Sequence, residues 1–290
     1  MSERGVLTIA AGEARYVDMA VTLGRALRLH SPALPLAVAT DSEDPRLAEL
    51  YDRLVPLDPE AASGFHHKLR IDRYSPFEET LFVDSDSLVV KPIEWIFDLF
   101  GELEFGVVGR PRRSGRWFMD IGALLARIER EELPQFNGGI YFFRRSRAAQ
   151  GIFETARELS DRYDELGLRS FRGGIAEEPL YAIALALHRV PPVDDSGRVM
   201  RTPLAMRGWL HVDVLGGTCH FRKEGIVVRP AIVHFAGPYA AARDPRSAFY
   251  RRERHKLELV ASGAADPARK AARKYALLCA AGFLAINAWE

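Results

Sequence analysis

The chain has 290 residues, 40 Lys or Arg against 39 Asp or Glu, and 48% hydrophobic residues. Such a chain can bury a sizeable core, and its apolar content excludes a disordered polymer. A formal charge of +1 argues against a nucleic-acid coat, whose binding rests on neutralising phosphates, so no nucleic-acid partner is expected.

Strand and helix patterns alternate through the first half. Residues 5–11 read as a strand. Residues 13–30 read as a helix, with Val17, Met19, Ala20, Leu23, Ala26, Leu27 and Leu29 as its apolar stripe. Residues 34–40 form a second apolar run of strand length, 44–54 suit a short helix, and 80–90 form a third strand interrupted by acids. Such alternation implies an α/β fold, with a mostly parallel central sheet flanked by helices. Ligands of such sheets sit at the carboxyl ends of the strands. The second half reads differently. After a strand at 136–143 and helices at 147–166 and 177–187 come short runs at 211–215, 218–222, 226–228 and 231–235, punctuated by Gly216-Gly217, Glu224-Gly225 and Pro230. That is the chemistry of antiparallel hairpins.

Two cysteines, Cys219 and Cys279, form no Cys-x-x-Cys pair, and a reducing cytoplasm is the simpler expectation. The apolar run 6–11 is too short for a signal-peptide core. At the other end, 275–289 carries Asn287 as its only strongly polar side chain, preceded by Arg269, Lys270, Arg273 and Lys274. Fifteen residues fall short of the roughly 20 that span a bilayer. Two readings stay open: a basic, apolar helix lying peripherally on the inner face of a membrane, or a helix packed on the body or on a second copy in a homodimer.

The most informative segment is Leu81-Phe82-Val83-Asp84-Ser85-Asp86. In an extended chain, residues two apart share a side, and two like charges held together ask for a cation between them. Carboxylates are hard oxygen donors suited to magnesium or manganese. His234, after the apolar run 231–233, can complete a mixed oxygen and nitrogen site, and an imidazole tilts the preference toward manganese.

With these residues in place, the chain resembles the A-fold glycosyltransferases, in particular the family-8-like branch that includes glycogenin and bacterial galactosyl- and glucosyltransferases. The resemblance runs from about Val6 to about Gly237 and rests on motifs in order. Ala10 and Tyr16 lie where such enzymes hold the nucleotide base. Lys68 precedes Asp84-Ser85-Asp86, which looks like their metal-binding Asp-x-Asp. Phe136-Asn137-Gly138-Gly139 is similar to their strand beside the donor sugar, and Glu177-Glu178 stands in the place of their acidic donor-site segment. His234-Phe235-Ala236-Gly237 is similar to their His-Phe-x-Gly, in which the histidine is the third metal ligand and the glycine lies near the diphosphate.

The resemblance implies a GT-A fold over 1–240 with antiparallel C-terminal strands, and a helical extension over 241–290. It implies Mn²⁺ (or Mg²⁺) held by Asp84, Asp86 and His234, and a UDP-sugar donor. It implies transfer of a hexose, with retention, to a glycan, lipid-linked or protein acceptor. Glu177, Glu178 and Asp120 are the carboxylates expected to position the sugar, although Glu177 is one methylene longer than the family's usual Asp. Asn137, Gly138 and Gly139 are read as letting a sugar ring approach the backbone. Lys68 and Lys91 are read as positive charge near the diphosphate. Arg110, Arg112, Arg113 and Arg116 are read as a flexible basic loop, either solvated surface or an acceptor clamp. Two rivals remain. A sugar-1-phosphate nucleotidyltransferase would need a Gly-rich basic loop after the first strand, which Ala10-Ala11-Gly12-Glu13 does not supply. A non-catalytic membrane scaffold of the same fold would not need an intact Asp84, Asp86 and His234.

Overall fold

The computed structural model describes residues 3–59, 61, 64–171 and 174–288. It opens on β1 (Arg4–Ala10), α1 (Ala14–His30), β2 (Leu36–Thr40), α2 (Pro45–Leu50) and β3 (Arg53–Pro56). The expected helix over 44–54 is therefore shorter. Asp44 caps it through the Arg46 N–H with Pro45 in the first turn, and the chain then turns into an exposed edge strand with little apolar signature. Two short turns follow, α3 (Phe65–Lys68) and α4 (Ile71–Tyr74).

Strands β4 (Glu79–Val83) and β5 (Ser87–Val89) flank the acidic pair, followed by α5 (Trp95–Phe100), β6 (Phe105–Gly106), β7 (Gly109–Arg112), α6 (Ile121–Ile128), β8 (Leu133–Phe136) and β9 (Ile140–Arg144). The basic segment is thus no flexible loop at its start, because β7 pairs with β8. Helix α7 (Arg147–Ser160) is capped by Ser146 and stops short of the expected 166. Helix α8 (Glu177–Leu187) has the expected bounds.

The main sheet has six strands in the order β3-β2-β1-β4-β9-β6. Strands β1 to β4 pair in parallel, and only β9 runs against them. Period-two alternation buries both faces. Val6, Leu36, Val38, Leu81 and Phe142 face one core with α1, while Leu7, Ala37, Phe82, Tyr141 and Phe143 face the other with α7 and α8. The mostly parallel sheet expected from the sequence is present.

The C-terminal strands are β10 (Met200–Arg201), β11 (Arg207–Asp213), β12 (Thr218–Lys223), β13 (Ile226–Val228) and β14 (Ile232–His234). Strands β11, β12 and β13 form the expected antiparallel set. Strand β14 does not join it: it pairs antiparallel with β5, His234 opposite Ser87, and parallel with β10. That non-local pairing carries the histidine to the acidic pair.

Helices α9 (Ala248–Ala261) and α10 (Pro267–Asn287) complete the chain. The fully buried Glu253 accepts the Val214 N–H at 2.8 Å and the Lys256 ammonium at 2.9 Å. Phe283 of α10 packs on Trp209, with ring centroids 4.9 Å apart, and the Gly208 N–H donates to the Asn287 side chain. The tail therefore docks on the body. Trp289, the last residue of the apolar run, lies outside the described residues. No helix among the described residues is long and apolar enough to cross a membrane.

Candidate active site

The site forms where two apolar runs break. The buried strand β4 ends at Val83, and Asp84 and Asp86 occupy a turn closed by the Ser87 N–H donating to the Asp84 carbonyl at 3.0 Å. The pair is thus not part of an extended strand, and side alternation does not bring its carboxylates together. The turn does so, and β14 fixes it by donating the Phe235 N–H to the Asp86 carbonyl at 3.0 Å. The second break is at Asn137–Gly139, between β8 and β9, where the sequence pattern reads as one strand. The Asp84 N–H donates to the Gly139 carbonyl at 2.9 Å and joins the two turns.

Asp84, Asp86 and His234 each offer a ligand atom, all within 4.8 Å of one another. His234 Nε2 lies 3.0 Å from Asp86 Oδ1 and 3.6 Å from Asp84 Oδ2. The other ring nitrogen, Nδ1, is 2.6 Å from Asn137 Oδ1, which also accepts the Gly139 N–H at 3.0 Å. An oxygen that accepts from a backbone amide accepts from the ring too, so Nδ1 carries the proton. A neutral ring then aims the Nε2 lone pair at the carboxylates. This is the orientation in which second-shell partners hold a metal-ligating histidine.

Behind the acidic pair lies Lys68, 2.6 Å from Asp84 Oδ2, 2.9 Å from Glu177 Oε1 and 3.1 Å from the Gly138 carbonyl. Its role is therefore to bridge two buried carboxylates. Glu177 and Glu178 open α8, where helix N-termini favour negative charge, and Glu178 accepts the Gly138 N–H at 2.6 Å. Gly138 and Gly139 do make a close approach, but to the protein itself. A Cβ on Gly138 would stand 2.6 Å from Glu177 Oε1, and one on Gly139 2.5 Å from the His234 ring.

Charge is short on the positive side. Four carboxylates, Asp84, Asp86, Glu177 and Glu178, surround one lysine and one histidine. Burial raises the Asp84 carboxyl to about 6 against the pull of Lys68 and His234. Burial and then the Glu177 charge push Glu178 to about 7, against the Gly138 N–H. Burial lowers His234, but the attraction of Asp86 and Asp84 outweighs it and leaves its pKa raised. Either a protonated His234 or a divalent cation relieves this imbalance, and the hard oxygen donors with one imidazole fit Mn²⁺ or Mg²⁺.

The remaining expected residues fall into two groups. Ala10 and Tyr16 lie at the carboxyl end of β1, the edge of the parallel sheet that also delivers Asp84. The Ala10 carbonyl accepts the Thr40 hydroxyl at 2.6 Å, and the Arg15 guanidinium covers the Tyr16 ring at 4.7 Å. Ser85 is buried in the acidic turn. Gly237 has φ 61°, a left-handed value that glycine adopts without strain, and it turns the chain just after His234. By contrast, Asp120 caps α6 through the Ala123 N–H at 3.0 Å and lines a separate cavity. It is not one of the three residues whose ligand atoms converge. Lys91 is half-buried and donates to the Arg229 carbonyl.

Sequence reasoning missed Asp41 and Tyr141. Asp41 follows β2 as Asp84 follows β4, and its carboxylate accepts the Gly12 N–H at 3.1 Å. An acid directly after a buried parallel strand was the signal in both cases. The Tyr141 hydroxyl is buried beside Gly138 with no hydrogen-bond partner among the described residues, and it carries no such signal because it lies in a continuous apolar strand.

No family model matches this chain, and no curated protein matches it in sequence. Solved structures do. Galactosyltransferase LgtC in complex with donor and acceptor sugar analogues aligns over 87% of this chain and 94% of that one, with a TM-score of 0.56 at 17% identity. An active-site mutant of LgtC covers 82% of this chain and 90% of its own, with a TM-score of 0.55 at 16% identity. The bifunctional glycosyltransferase WbbM, in its apo form, matches 87% of this chain and 52% of that one, with a TM-score of 0.51 at 13% identity. The fold is therefore that of the GT-A glycosyltransferases. At these identities the likeness establishes architecture, and the chemistry rests on the residues of this chain.

Proposed function

We propose that the chain is a metal-dependent glycosyltransferase that moves a hexose from a UDP-sugar to an acceptor, with retention of configuration. The carrying observation is the convergence of Asp84, Asp86 and His234 beside Asn137, Glu177 and Glu178 at the carboxyl edge of the sheet. A divalent cation held there, Mn²⁺ by preference, supplies positive charge to a diphosphate leaving group. Asn137 keeps the His234 Nε2 lone pair directed at the acidic pair. Lys68 holds Asp84 and Glu177 in place, and Glu177 and Glu178 are placed to position the sugar at the start of α8. Ala10, Tyr16 and Gly237 flank the nucleotide. The catalytic unit in this reading is 1–240, with 241–290 a docked extension.

The site's charge imbalance has a measurable consequence. Asp84 and Glu178 have pKa values raised above the ordinary carboxyl range. Their neutral forms favour the folded state at low pH, and that contribution is lost as pH rises through about 6 and about 7. Mn²⁺ requires the deprotonated ligands. It is therefore expected to stabilise the fold, and raise its melting temperature, more at pH 8 than at pH 5, the stabilisation reaching about 2.7 kcal/mol at roughly 100 times its Kd. Equal or absent stabilisation at the two pH values in a thermal-shift titration would count against a metal site here.

The cytoplasmic face of a membrane is the proposed location. On α10, Lys270, Lys274, Leu277 and Leu284 fall on one side by spacing, and Leu277 and Leu284 are 87% and 67% exposed. The intact chain is expected to float with anionic liposomes, and a chain ending before Pro267 to remain in the lower fraction. Equal behaviour of the two would remove the membrane contact. A homodimer through the same face is the other outcome, read by sedimentation.

A further inference from the structure

A cavity of about 190 Å³ is walled by Trp117, Phe118 and Asp120 and flanked by Arg116 and Arg169. That volume is below the roughly 300–1,000 Å³ of pockets that enclose drug-sized ligands, so it seats a single ring. Its walls are held by backbone bonds. The Trp117 N–H donates to the Met119 carbonyl at 3.0 Å, the Ile121 N–H to Gly115 at 2.9 Å, and the Arg169 N–H to Phe118 at 2.9 Å. The last bond ties the two segments that carry the arginines.

Two aromatic contacts connect the cavity to the cluster. The Trp117 ring is 6.0 Å from that of Phe136, the residue before Asn137. The Phe118 ring is 6.2 Å from Phe171, which is 5.6 Å from Phe65, whose ring lies 5.9 Å from Lys68 Nζ. The cavity is therefore linked to the cluster through aromatic rings and is not lined by its ligand residues. An anion in it is not the donor diphosphate, which belongs to the cation at Asp84 and Asp86.

Among the described residues, neither the Arg116 nor the Arg169 guanidinium makes an ion pair, and Arg112 folds over the same loop, its Nη2 3.3 Å from the Cβ position of Gly115. The carboxylate of Asp120 is engaged by the Ala123 N–H. Aromatic faces stack on the apolar side of a sugar ring, and planar guanidinium groups match carboxylate or phosphate. We propose that this cavity is an acceptor subsite selective for a saccharide ring bearing a carboxylate or phosphate. The role as acceptor rests on the transferase reading above. The recognition of an acidic sugar does not.

The test uses the full chain and three probes: a glucuronic-acid disaccharide, a hexose 6-phosphate and a neutral disaccharide. Binding is titrated by calorimetry without donor or Mn²⁺. The acidic probes are expected to bind at least roughly tenfold more tightly than the neutral one, and to lose that margin in an Arg116→Gln, Arg169→Gln double variant. The Lys double variant is expected to restore part of it. Both arginines are exposed, so neither substitution disturbs the core. Preference for the disaccharide over the phosphate identifies a sugar acid, and the reverse a phosphosugar. Equal binding of acidic and neutral probes, or an unchanged margin in the Gln variant, overturns the proposal. With a donor present, the Gln variant is expected to raise KM for the acidic acceptor. Absence of any metal-dependent donor cleavage alongside intact acidic binding would overturn the transferase reading and leave the subsite standing.

Discussion

Asp86→Ala is expected to lower Mn²⁺-dependent turnover by at least roughly 10²-fold, the scale on which loss of one charge-stabilising group acts on a developing leaving group. Asp86 Oδ1 is the carboxylate oxygen nearest His234 Nε2, at 3.0 Å, and its backbone carbonyl anchors β14 through Phe235. The substitution removes the ligand and keeps the backbone bond, so the fold is retained while the donor set falls from three groups to two. Calorimetric titration of Mn²⁺ is expected to show the same loss as the rate. A variant with wild-type turnover and wild-type Mn²⁺ affinity would show that Asp86 has no part in either.

Lys68→Met is expected to destabilise the chain by about 3–5 kcal/mol at neutral pH, the cost of leaving buried charge uncompensated. The ammonium holds two carboxylates, and its own carbonyl accepts the Tyr181 hydroxyl at 2.8 Å. Burial disfavours the charged ammonium, yet Asp84 and Glu177 attract it strongly enough to raise its pKa. Without it, Asp84 would be held still further toward its neutral form. A raised carboxyl pKa contributes stability at low pH that is lost as pH rises. The deficit is therefore expected to shrink toward pH 4 and to grow toward pH 8, as read by urea unfolding. A pH-independent deficit would point to lost packing instead of lost charge compensation.

Much of the frame was legible because it follows local periodicity. The alternation in β1, β2 and β4 and the broad stripe of α1 locate both cores. Helix α8 and strand β13 have the bounds their patterns imply. What was hidden has physical reasons. Edge strand β3 is largely exposed and lacks an apolar face, and β6 has only two residues. The turns at Asp84–Asp86 and Asn137–Gly139 fall inside the runs 80–90 and 136–143, each of which reads as a single strand, and β8 before the second turn carries no signal of its own. Strand β14 sits after a hairpin and reads as its continuation, whereas its partner β5 lies far back in the chain. Residue types at the site were visible as acids and a histidine ending apolar runs. Their contacts were not, because His234 reaches Asp86 and Asn137 only through that distant pairing, and Lys68 reaches Asp84 and Glu177 from far along the chain. Asp120 shows the limit from the other side: an acid before an apolar stretch also reads as a helix cap, and here it is one.

The central claim is that Asp84, Asp86 and His234 form the metal-dependent donor site of a glycosyltransferase. Nucleotide release from a panel of sugar nucleotides, with and without Mn²⁺, tests it most directly. Metal-dependent release of UDP from at least one UDP-hexose, abolished by Asp86→Ala, is the predicted result. No release from any donor in the presence of Mn²⁺ or Mg²⁺, or release that persists unchanged in chelator, would contradict it.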